Sequence, residues 1–219
     1  AGVQRIIYLS TAHVYCSPLE GTITENTCPR NLHPYATSHL AGEHSVLHAS
    51  RQGKIQGIVL RLSNVFGAPM HKNANCWMLV VNDLCKQAVQ TRKLVLQTNG
   101  LQQRDFIGIS EVCSIGETLA LGFSITKEAD IFNVGTGVSQ TVLEMALLIQ
   151  RRCAKILGFE PELLRKKSGL DEQSHKLMYK IENLKALRIN ANGFEFIEEI
   201  DRLLKYCQKE FGENQGSDV

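Results

Sequence analysis

Hydroxyl side chains at Ser10 and Thr11 follow directly on a short apolar run near the start of the chain. At the carboxyl end of a strand, such hydroxyls lie where open α/β sheets bind their ligands. Tyr35 and His39 follow with the spacing i and i+4, so on a helix they share one face and can interact. The two hydroxyls are therefore placed to meet a substrate.

Polar groups also accompany later apolar runs. Leu62, Ser63 and Asn64 stand at the end of one run, and Arg104 stands just before another. Asn133 lies within a third run that ends in glycine. Each of these segments carries candidate site residues.

The elements that must hold these residues alternate between strand and helix. Residues 5–10 form a continuous apolar run, which is typical of a strand buried on both faces of a parallel sheet. The stretch from Pro34 to Arg51 is compatible with a helix that stops at Gly53, and residues 58–62 predict the next strand. This order and spacing indicate a βαβ unit.

Apolar periodicity, turns and cap signals predict the remaining elements. In chain order these are a helix over 76–92, strands over 94–97 and 105–109, a helix from a Ser110 cap to Leu121, a strand over 131–134, a helix from a Thr141 capping box to Gly158, and a helix over about 196–211. The tail 212–219 is expected to be disordered.

The composition of the 219 residues excludes several classes of protein. Hydrophobic residues make up 43% and charged residues 21%, which is ordinary for a folded domain. The net charge is +2 without a block of like charges, so we expect no nucleic-acid partner. The longest strongly apolar run, from Cys76 to Val81, is too short to cross a bilayer, so we expect no membrane partner.

The cysteines and histidines indicate a reducing compartment and no metal centre. Seven cysteines form an odd set with no C-x-x-C, which is typical neither of a disulfide framework nor of a zinc site. We therefore expect a cytoplasmic protein. His44 and His48 share a face of the predicted helix, but no third ligand is identifiable, so we predict no bound metal.

Five motifs in a fixed order resemble those of the extended short-chain dehydrogenase/reductase superfamily, in particular its NAD-dependent nucleotide-sugar epimerases and dehydratases. The Ser-Ser/Thr-Ala-x-Val-Tyr-Gly strand end and the Pro-Tyr-x-x-x-Lys helix of that family are followed by Arg-x-x-Asn-x-(Tyr/Phe)-Gly-x-Pro, Arg-Asp-(Phe/Tyr)-Ile and Asn-x-Gly. The similar segments here are 10–16, 34–39, 61–69, 104–107 and 133–135. Each motif alone is weak, but five in this order are specific.

The resemblance implies a role for each candidate residue. Thr11 would hydrogen-bond the reacting sugar oxygen, and Tyr35 would exchange a proton with a sugar hydroxyl while hydride moves to or from NAD. Asn64 and Arg104 would contact the substrate diphosphate, since a planar guanidinium matches phosphate geometry. His39 would join Thr11 and Tyr35 as a catalytic residue. The residues implied for cofactor binding are Ser10, Tyr35, His39, Leu62 and Ser63.

His39 stands where the family has lysine. A free tyrosine titrates near pH 10, so Tyr35 needs a nearby positive charge to act as a base at neutral pH. Lysine supplies that charge permanently, whereas histidine is shorter and mostly neutral at pH 7. The substitution leaves open a weakened enzyme, an enzyme whose rate depends on the protonation of His39, or a catalytically impaired protein that binds nucleotide sugars.

The chain contains no G-x-x-G-x-x-G, the turn that binds pyrophosphate in the family. By resemblance, about three βα units, roughly 90 residues, are absent upstream. The chain is then either part of a longer polypeptide, which we favour, or a truncated remnant that binds NAD poorly. We therefore expect the C-terminal part of a doubly wound, Rossmann-like parallel sheet with a smaller α/β substrate-binding domain. The first would comprise residues 1–67 and about 105–137, and the second about 68–104 and 138–211.

The resemblance implies an enzyme that oxidises a nucleotide-activated sugar transiently with NAD and then epimerises or dehydrates it. The segment from Thr11 to His13 lacks the acidic pair of the dehydratases, so an epimerase is favoured. A keto-sugar reductase that uses Tyr35 with NAD(P)H is the alternative, because the choice between NAD and NADP is expected upstream. The oligomer implied is a homodimer through the Tyr35 helix.

Overall fold

A parallel sheet of three strands is the framework of the chain. The computed structural model describes residues 2–121, 131–166, 176–189 and 196–212. The strands are β1 (Arg5–Thr11), β2 (Gly21–Ile23), β3 (Gln56–Leu62), β4 (Asn64–Phe66), β5 (Lys93–Leu96), β6 (Gln103–Gly108), β7 (Ile131–Val134), β8 (Ser139–Thr141), β9 (Glu162–Arg165) and β10 (Leu177–Tyr179). The helices are α1 (Pro34–Arg51), α2 (Val80–Thr91), α3 (Ile109–Leu121), α4 (Val142–Leu157), α5 (Glu182–Ala186) and α6 (Phe196–Phe211).

The strands of the central sheet lie in the order β1–β3–β7 and all run parallel. Thr11 lies opposite Leu62, and Leu62 lies opposite Val134, so the carboxyl ends of the three strands meet at one edge. A mixed sheet, β4–β6–β8, and the parallel pairs β2–β10 and β5–β9 complete the pairing within the described residues. The strand ends that carry the candidate residues are thereby brought together.

Helices cover both faces of the central sheet. Successive residues of a strand point to opposite faces, and Gly57 of β3 faces α1, where a Cβ would lie 2.6 Å from Cγ1 of Val46. Ile58 and Leu60 point to the opposite face of the sheet from Gly57. There they pack in one core with residues of α3 such as Leu119. The predicted α/β class with a doubly wound parallel sheet is confirmed.

A second apolar core lies between α2, α4 and α6. Leu84, Ile149 and Leu204, one from each helix, are buried there with side chains of β5 and β6. The predicted division into a cofactor-binding and a substrate-binding domain stays a prediction. Within the described residues, none of these helices has the length and hydropathy that a membrane span requires.

Several predicted boundaries are confirmed by the structure. Pro34 occupies the first turn of α1, and Arg51 is its last residue. The Thr141 side chain accepts a hydrogen bond from the backbone N–H of Glu144, whose side chain reaches back to Thr141, so the predicted capping box is formed. The helix over 196–211 is also confirmed. The tail predicted to be disordered lies, from residue 213 onward, outside the described residues.

Two predicted helix starts are wrong. The helix predicted over 76–92 begins only at Val80, because the preceding residues from Cys76 form turns and Leu79 is the N-cap. Ser110 does not cap α3, since β6 ends at Gly108 and the helix begins directly at Ile109. Without a linker between strand and helix, the serine falls inside the first turn.

A buried ion pair joins α1 to the middle strand of the central sheet. Glu43 and Arg61 are both almost fully buried, and the guanidinium donates to both carboxylate oxygens, with Nη2–Oε2 at 2.6 Å and Nε–Oε1 at 3.0 Å. The Ser10 hydroxyl of β1 donates to Oε1 of Glu43 at 2.5 Å. One carboxylate therefore ties together a helix and two strands.

A second buried polar network lies beside the ion pair. The Tyr15 hydroxyl donates to Oδ1 of Asn133 at 2.7 Å, and the Tyr179 hydroxyl donates to the Arg61 carbonyl at 2.7 Å. Nδ2 of Asn133 donates to the Lys180 carbonyl. The ends of β3 and β7 are thus fixed to the segment around β10 by side chains rather than by strand pairing.

We expect the substitution Glu43→Gln to lower the free energy of unfolding by about 3 kcal/mol or more. The neutral amide would leave the Arg61 charge buried without its counter-ion. Urea denaturation followed by circular dichroism measures the change. The matched control is Glu162→Gln in the exposed Lys93–Glu162 pair, which should cost less than about 1 kcal/mol. Equal effects of the two substitutions would contradict this account of the buried pair.

Candidate active site

The end of β1 forms one wall of the candidate site. Thr11 is buried, with 6% of its surface exposed, and it caps the short 3-10 helix Ala12–Val14. Its Oγ1 accepts a hydrogen bond from the backbone N–H of His13 at 3.2 Å. This contact fixes the position of the Thr11 hydroxyl at the edge where the parallel strands end.

The first two turns of α1 present Tyr35 and His39 together. The two rings meet edge to face with centroids 4.7 Å apart, so the interaction predicted from their spacing is confirmed. Tyr8 of β1 also lies near His39, with ring centroids 6.2 Å apart. Tyr35 is 52% exposed, whereas Nδ1 of His39 is buried and has no hydrogen-bond partner in the described structure. The phenol is accessible while the imidazole is held in place.

Asp105 holds together the turn that carries Ser63 and Asn64. The Ser63 hydroxyl donates to Oδ1 of Asp105 at 2.9 Å, and Nδ2 of Asn64 donates to the Asp105 carbonyl at 3.0 Å. The backbone N–H groups of Thr136 and Gly137 donate to the same carboxylate at 2.9 and 2.8 Å. Asp105 therefore joins the end of β3, β6 and the turn after β7.

The turn after β7 requires glycine next to this carboxylate. A Cβ built at Gly135 would lie 2.5 Å from Oδ1 of Asp105 and 3.0 Å from the Tyr179 ring. No larger residue fits at that position without moving both groups. The glycine of the Asn133–Gly135 motif is thus explained by close approach of the backbone to Asp105.

Arg104 lies on the other side of Asn64. Nη1 of Arg104 donates to Oδ1 of Asn64 at 3.5 Å, and Nη2 donates to Oε1 of Gln102 at 3.4 Å. Both contacts are long, so much of the donor capacity of the guanidinium remains for a ligand. Burial lowers the pKa of Arg104. An arginine guanidinium stays protonated in proteins at neutral pH, so the side chain keeps its positive charge.

His13 is a further group of the site, beside Thr11 and Arg104. Its ring is largely buried, and Nδ1 has no hydrogen-bond partner in the described structure. Burial lowers the pKa of His13, and the positive charge of Arg104 lowers it further. The imidazole is therefore neutral at pH 7.

The structure brings most of the predicted residues to the edge where the strands of the central sheet end. Thr11 is paired in register with Leu62, and Asn64 contacts Arg104. The hydroxyl of Ser10 instead points to Glu43 below α1, and no hydrogen bond in the described structure joins Tyr35 to Thr11. The catalytic and binding roles of these residues stay predictions.

Sequence reasoning missed three residues that shape the site: His13, Glu43 and Asp105. Asp105 could have been found from the sequence, because an acidic residue at the start of an apolar strand is unusual and must be hydrogen-bonded or paired when it is buried. Nothing in the sequence indicates that Glu43 is buried, since a glutamate in a helix is ordinarily exposed. His13 lay inside the strand-end motif but could not be separated from its neighbours without the contacts.

The parallel sheet and the sequence motifs at its carboxyl edge are those of the extended short-chain dehydrogenase/reductase superfamily, with His39 in the place of the lysine of that family. The chain belongs to the NAD dependent epimerase/dehydratase family, whose sequence profile matches residues 1–135.

Two relatives and one solved structure illustrate the similarity. The dTDP-D-glucose 4,6-dehydratase of Mus musculus is 27% identical over 146 residues, which are 67% of this chain and 39% of the mouse protein. An uncharacterized UDP-glucose epimerase of Bacillus subtilis is 30% identical over 149 residues, 68% of this chain and 44% of that protein. The fold resembles UDP-glucuronic acid 4-epimerase from Bacillus cereus in complex with NAD, with a TM-score of 0.75 and 22% identity, covering 94% of this chain and 62% of that one. The chain thus spans less than half the length of the two curated relatives.

Burial raises the pKa of Asp105 to about 6. The hydrogen bonds from Thr136, Ser63 and Gly137 lower this pKa, but their combined effect is smaller than that of burial. Because this value lies above the ordinary 3.8, the folded protein binds the proton more tightly than the unfolded chain does. The stability that Asp105 contributes is therefore present below about pH 4 and is lost as the pH rises to about 6.

We expect wild type to lose about 2 kcal/mol of unfolding free energy relative to Asp105→Asn between pH 4 and pH 7. Urea denaturation of both proteins at several pH values measures the difference, in which the other titrating groups cancel. The opposite sign, a wild type that gains on the variant as the pH rises, would show that the hydrogen bonds outweigh burial.

Proposed function

We propose that this chain contributes the substrate-binding and acid–base residues of an enzyme that interconverts nucleotide-activated sugars with NAD. The observation that carries the proposal is the accessible Tyr35 phenol, held against His39 near the carboxyl edge of a parallel sheet. Family membership supports it, and the named activities of the mouse and Bacillus subtilis relatives both concern nucleotide-activated glucose. Epimerisation is favoured over dehydration because the Thr11–His13 segment carries no carboxylate.

Each residue has a task in this mechanism. Tyr35 takes a proton from a sugar hydroxyl while the carbon that carries this hydroxyl is oxidised. It returns the proton when that carbon is reduced again. Thr11 donates a hydrogen bond to the same oxygen. The Arg104 guanidinium and the Asn64 amide bind the diphosphate, whose negative charge compensates the partly buried Arg104.

The residues of this chain fit a nicotinamide dinucleotide at the same edge. Nδ1 of His39 is buried without a partner and lies beside Tyr35, where a ribose hydroxyl would satisfy it. With Leu62, Ser63 and the backbone of Ser10, whose hydroxyl is bonded to Glu43, these residues would hold the nicotinamide half. When bound, NAD supplies the acceptor and donor of hydride.

We expect Tyr35→Phe to lower turnover at least 100-fold and to leave nucleotide-sugar affinity nearly unchanged, because the ring stays and only the proton-transfer group is lost. Turnover is measured on the full-length native protein by NADH absorbance and by chromatography of UDP- and dTDP-sugars incubated with NAD. Tyr206→Phe, a tyrosine stacked on Trp77 in the second core region, is the matched control and should keep full activity. Wild-type binding without turnover would instead support a non-catalytic nucleotide-sugar-binding protein.

We expect His39→Lys to raise turnover near neutral pH and to flatten its dependence on pH. A lysine ammonium keeps its charge across the neutral range and so favours ionised Tyr35 at every pH tested. The measurement is the pH–rate profile of turnover for the two proteins. Identical profiles would remove His39 from the mechanism.

A further inference from the structure

The two groups proposed to act on the sugar oxygen lie on different elements. Thr11 ends β1, whereas Tyr35 lies in the first turn of α1, and no hydrogen bond in the described structure joins their side chains. The buried carboxylate of Glu43 holds α1 two turns further along, about 12 Å from Tyr35 at 1.5 Å per residue. Because helix ends fray, the turn that carries Tyr35 is the part of α1 that most depends on a restraint of its own.

Asn31, in the linker between β2 and α1, supplies such a restraint. Its Nδ2 donates to the His13 carbonyl at 2.7 Å, and its Oδ1 accepts a hydrogen bond from the backbone N–H of His33 at 3.0 Å. His13 belongs to the 3-10 helix that Thr11 caps, and His33 is the N-cap of α1. One amide therefore bridges the end of β1 and the start of α1.

Hydrogen bonds continue from this bridge to both proposed catalytic residues. At one end, the backbone N–H of His13 donates to Oγ1 of Thr11 at 3.2 Å. At the other end, Nδ1 of His33 accepts a hydrogen bond from the backbone N–H of Tyr35 at 3.2 Å. Four hydrogen bonds, two of them made by Asn31, thus connect the Thr11 hydroxyl to the backbone of Tyr35.

An amide is the side chain that this position requires. The His13 carbonyl can only accept a hydrogen bond and the His33 N–H can only donate one, so the residue between them must do both. The backbone N–H of Asn31 also donates to the Val14 carbonyl at 3.3 Å, and the N–H of Arg30 donates to the Tyr15 carbonyl at 3.0 Å. The amide is therefore presented from a backbone that is already anchored, and little further ordering is needed to form the bridge.

We propose that Asn31 is a positioning residue that sets the distance between the Thr11 hydroxyl and the Tyr35 phenol. The inference rests on the proposed function, in which both groups act on one sugar oxygen, and adds a residue that acts only through them. A misplacement of about 1 Å can cost about 100-fold in rate. Loss of the bridge therefore affects turnover more than binding, since Asn64 and Arg104, proposed to hold the diphosphate, lie on β4 and β6.

The test compares Asn31→Ala with the isosteric Asn31→Asp in the full-length native protein. Initial rates with UDP-glucose and dTDP-glucose in the presence of NAD, followed by chromatography of the product sugars, give kcat and KM. We expect both variants to lower kcat about tenfold or more and to change KM less than about twofold. Aspartate keeps the acceptor for His33 but cannot donate to the His13 carbonyl, so the bridge is broken in both variants.

The aspartate variant separates positioning from helix capping. Negative charge near a helix N-terminus stabilises the helix, so a residue that only supported the start of α1 would tolerate aspartate without loss of turnover. Asn26→Ala, at an exposed residue of the same linker, is the matched control and should keep kcat. Full turnover in Asn31→Asp, or a loss that appears in KM instead of kcat, would overturn the proposal.

Hydrogen exchange followed by mass spectrometry distinguishes this inference from the proposed function. In Asn31→Ala the backbone amides of His33 and Tyr35 should exchange about fivefold faster than in Asn26→Ala, because the restraint on both is lost. If wild type turns over a nucleotide sugar and Asn31→Ala keeps its kcat, only the role of Asn31 is refuted. If wild type turns over neither sugar, the proposed function is refuted with any effect of Asn31 on turnover, and unchanged exchange would refute the restraint as well.

Discussion

The buried carboxylate of Glu43 is the constraint on which the rest of the structure depends. It is accepted in the interior only because Arg61 and Ser10 satisfy it, and these come from the two strands on which α1 packs. The register of β1 against β3 and the rotation of α1 about its axis must both be correct for the contacts to form. That rotation in turn decides where Tyr35 and His39 point.

Asp105 exerts a comparable constraint at the edge of the sheet where ligands are expected. It collects hydrogen bonds from the turn after β3 and from the turn after β7, and it excludes any side chain at Gly135. The diphosphate-binding residues proposed here, Asn64 and Arg104, are adjacent to it. This part of the candidate site therefore consists of short turns held by a buried acid rather than of residues presented by long loops.

Much of the fold could be predicted from the sequence because local signals agreed with the packing. The unbroken apolar strands, Pro34 at the start of α1 and the Thr141 capping box all predicted elements correctly. The expected burial of β1 on both faces is wrong, because β1 is the last strand of the described sheet and Ile6 and Leu9 are 41% and 54% exposed. The cap at Ser110 was wrong because a serine near a strand end is ambiguous until the length of the linker is known. The motifs located Thr11, Tyr35 and Arg104, but burial of Glu43 and the unpaired nitrogen of His13 depend on contacts between distant segments.

The Asn133 side chain has a consequence for how the chain acquires this structure. It receives a hydrogen bond from Tyr15, 118 positions earlier, and one from Tyr179, 46 positions later. Such contacts close very long loops, and parallel strands with helical crossovers add further non-local pairing, which slows folding. The polar network can form only once the central sheet and the segment around β10 have come together.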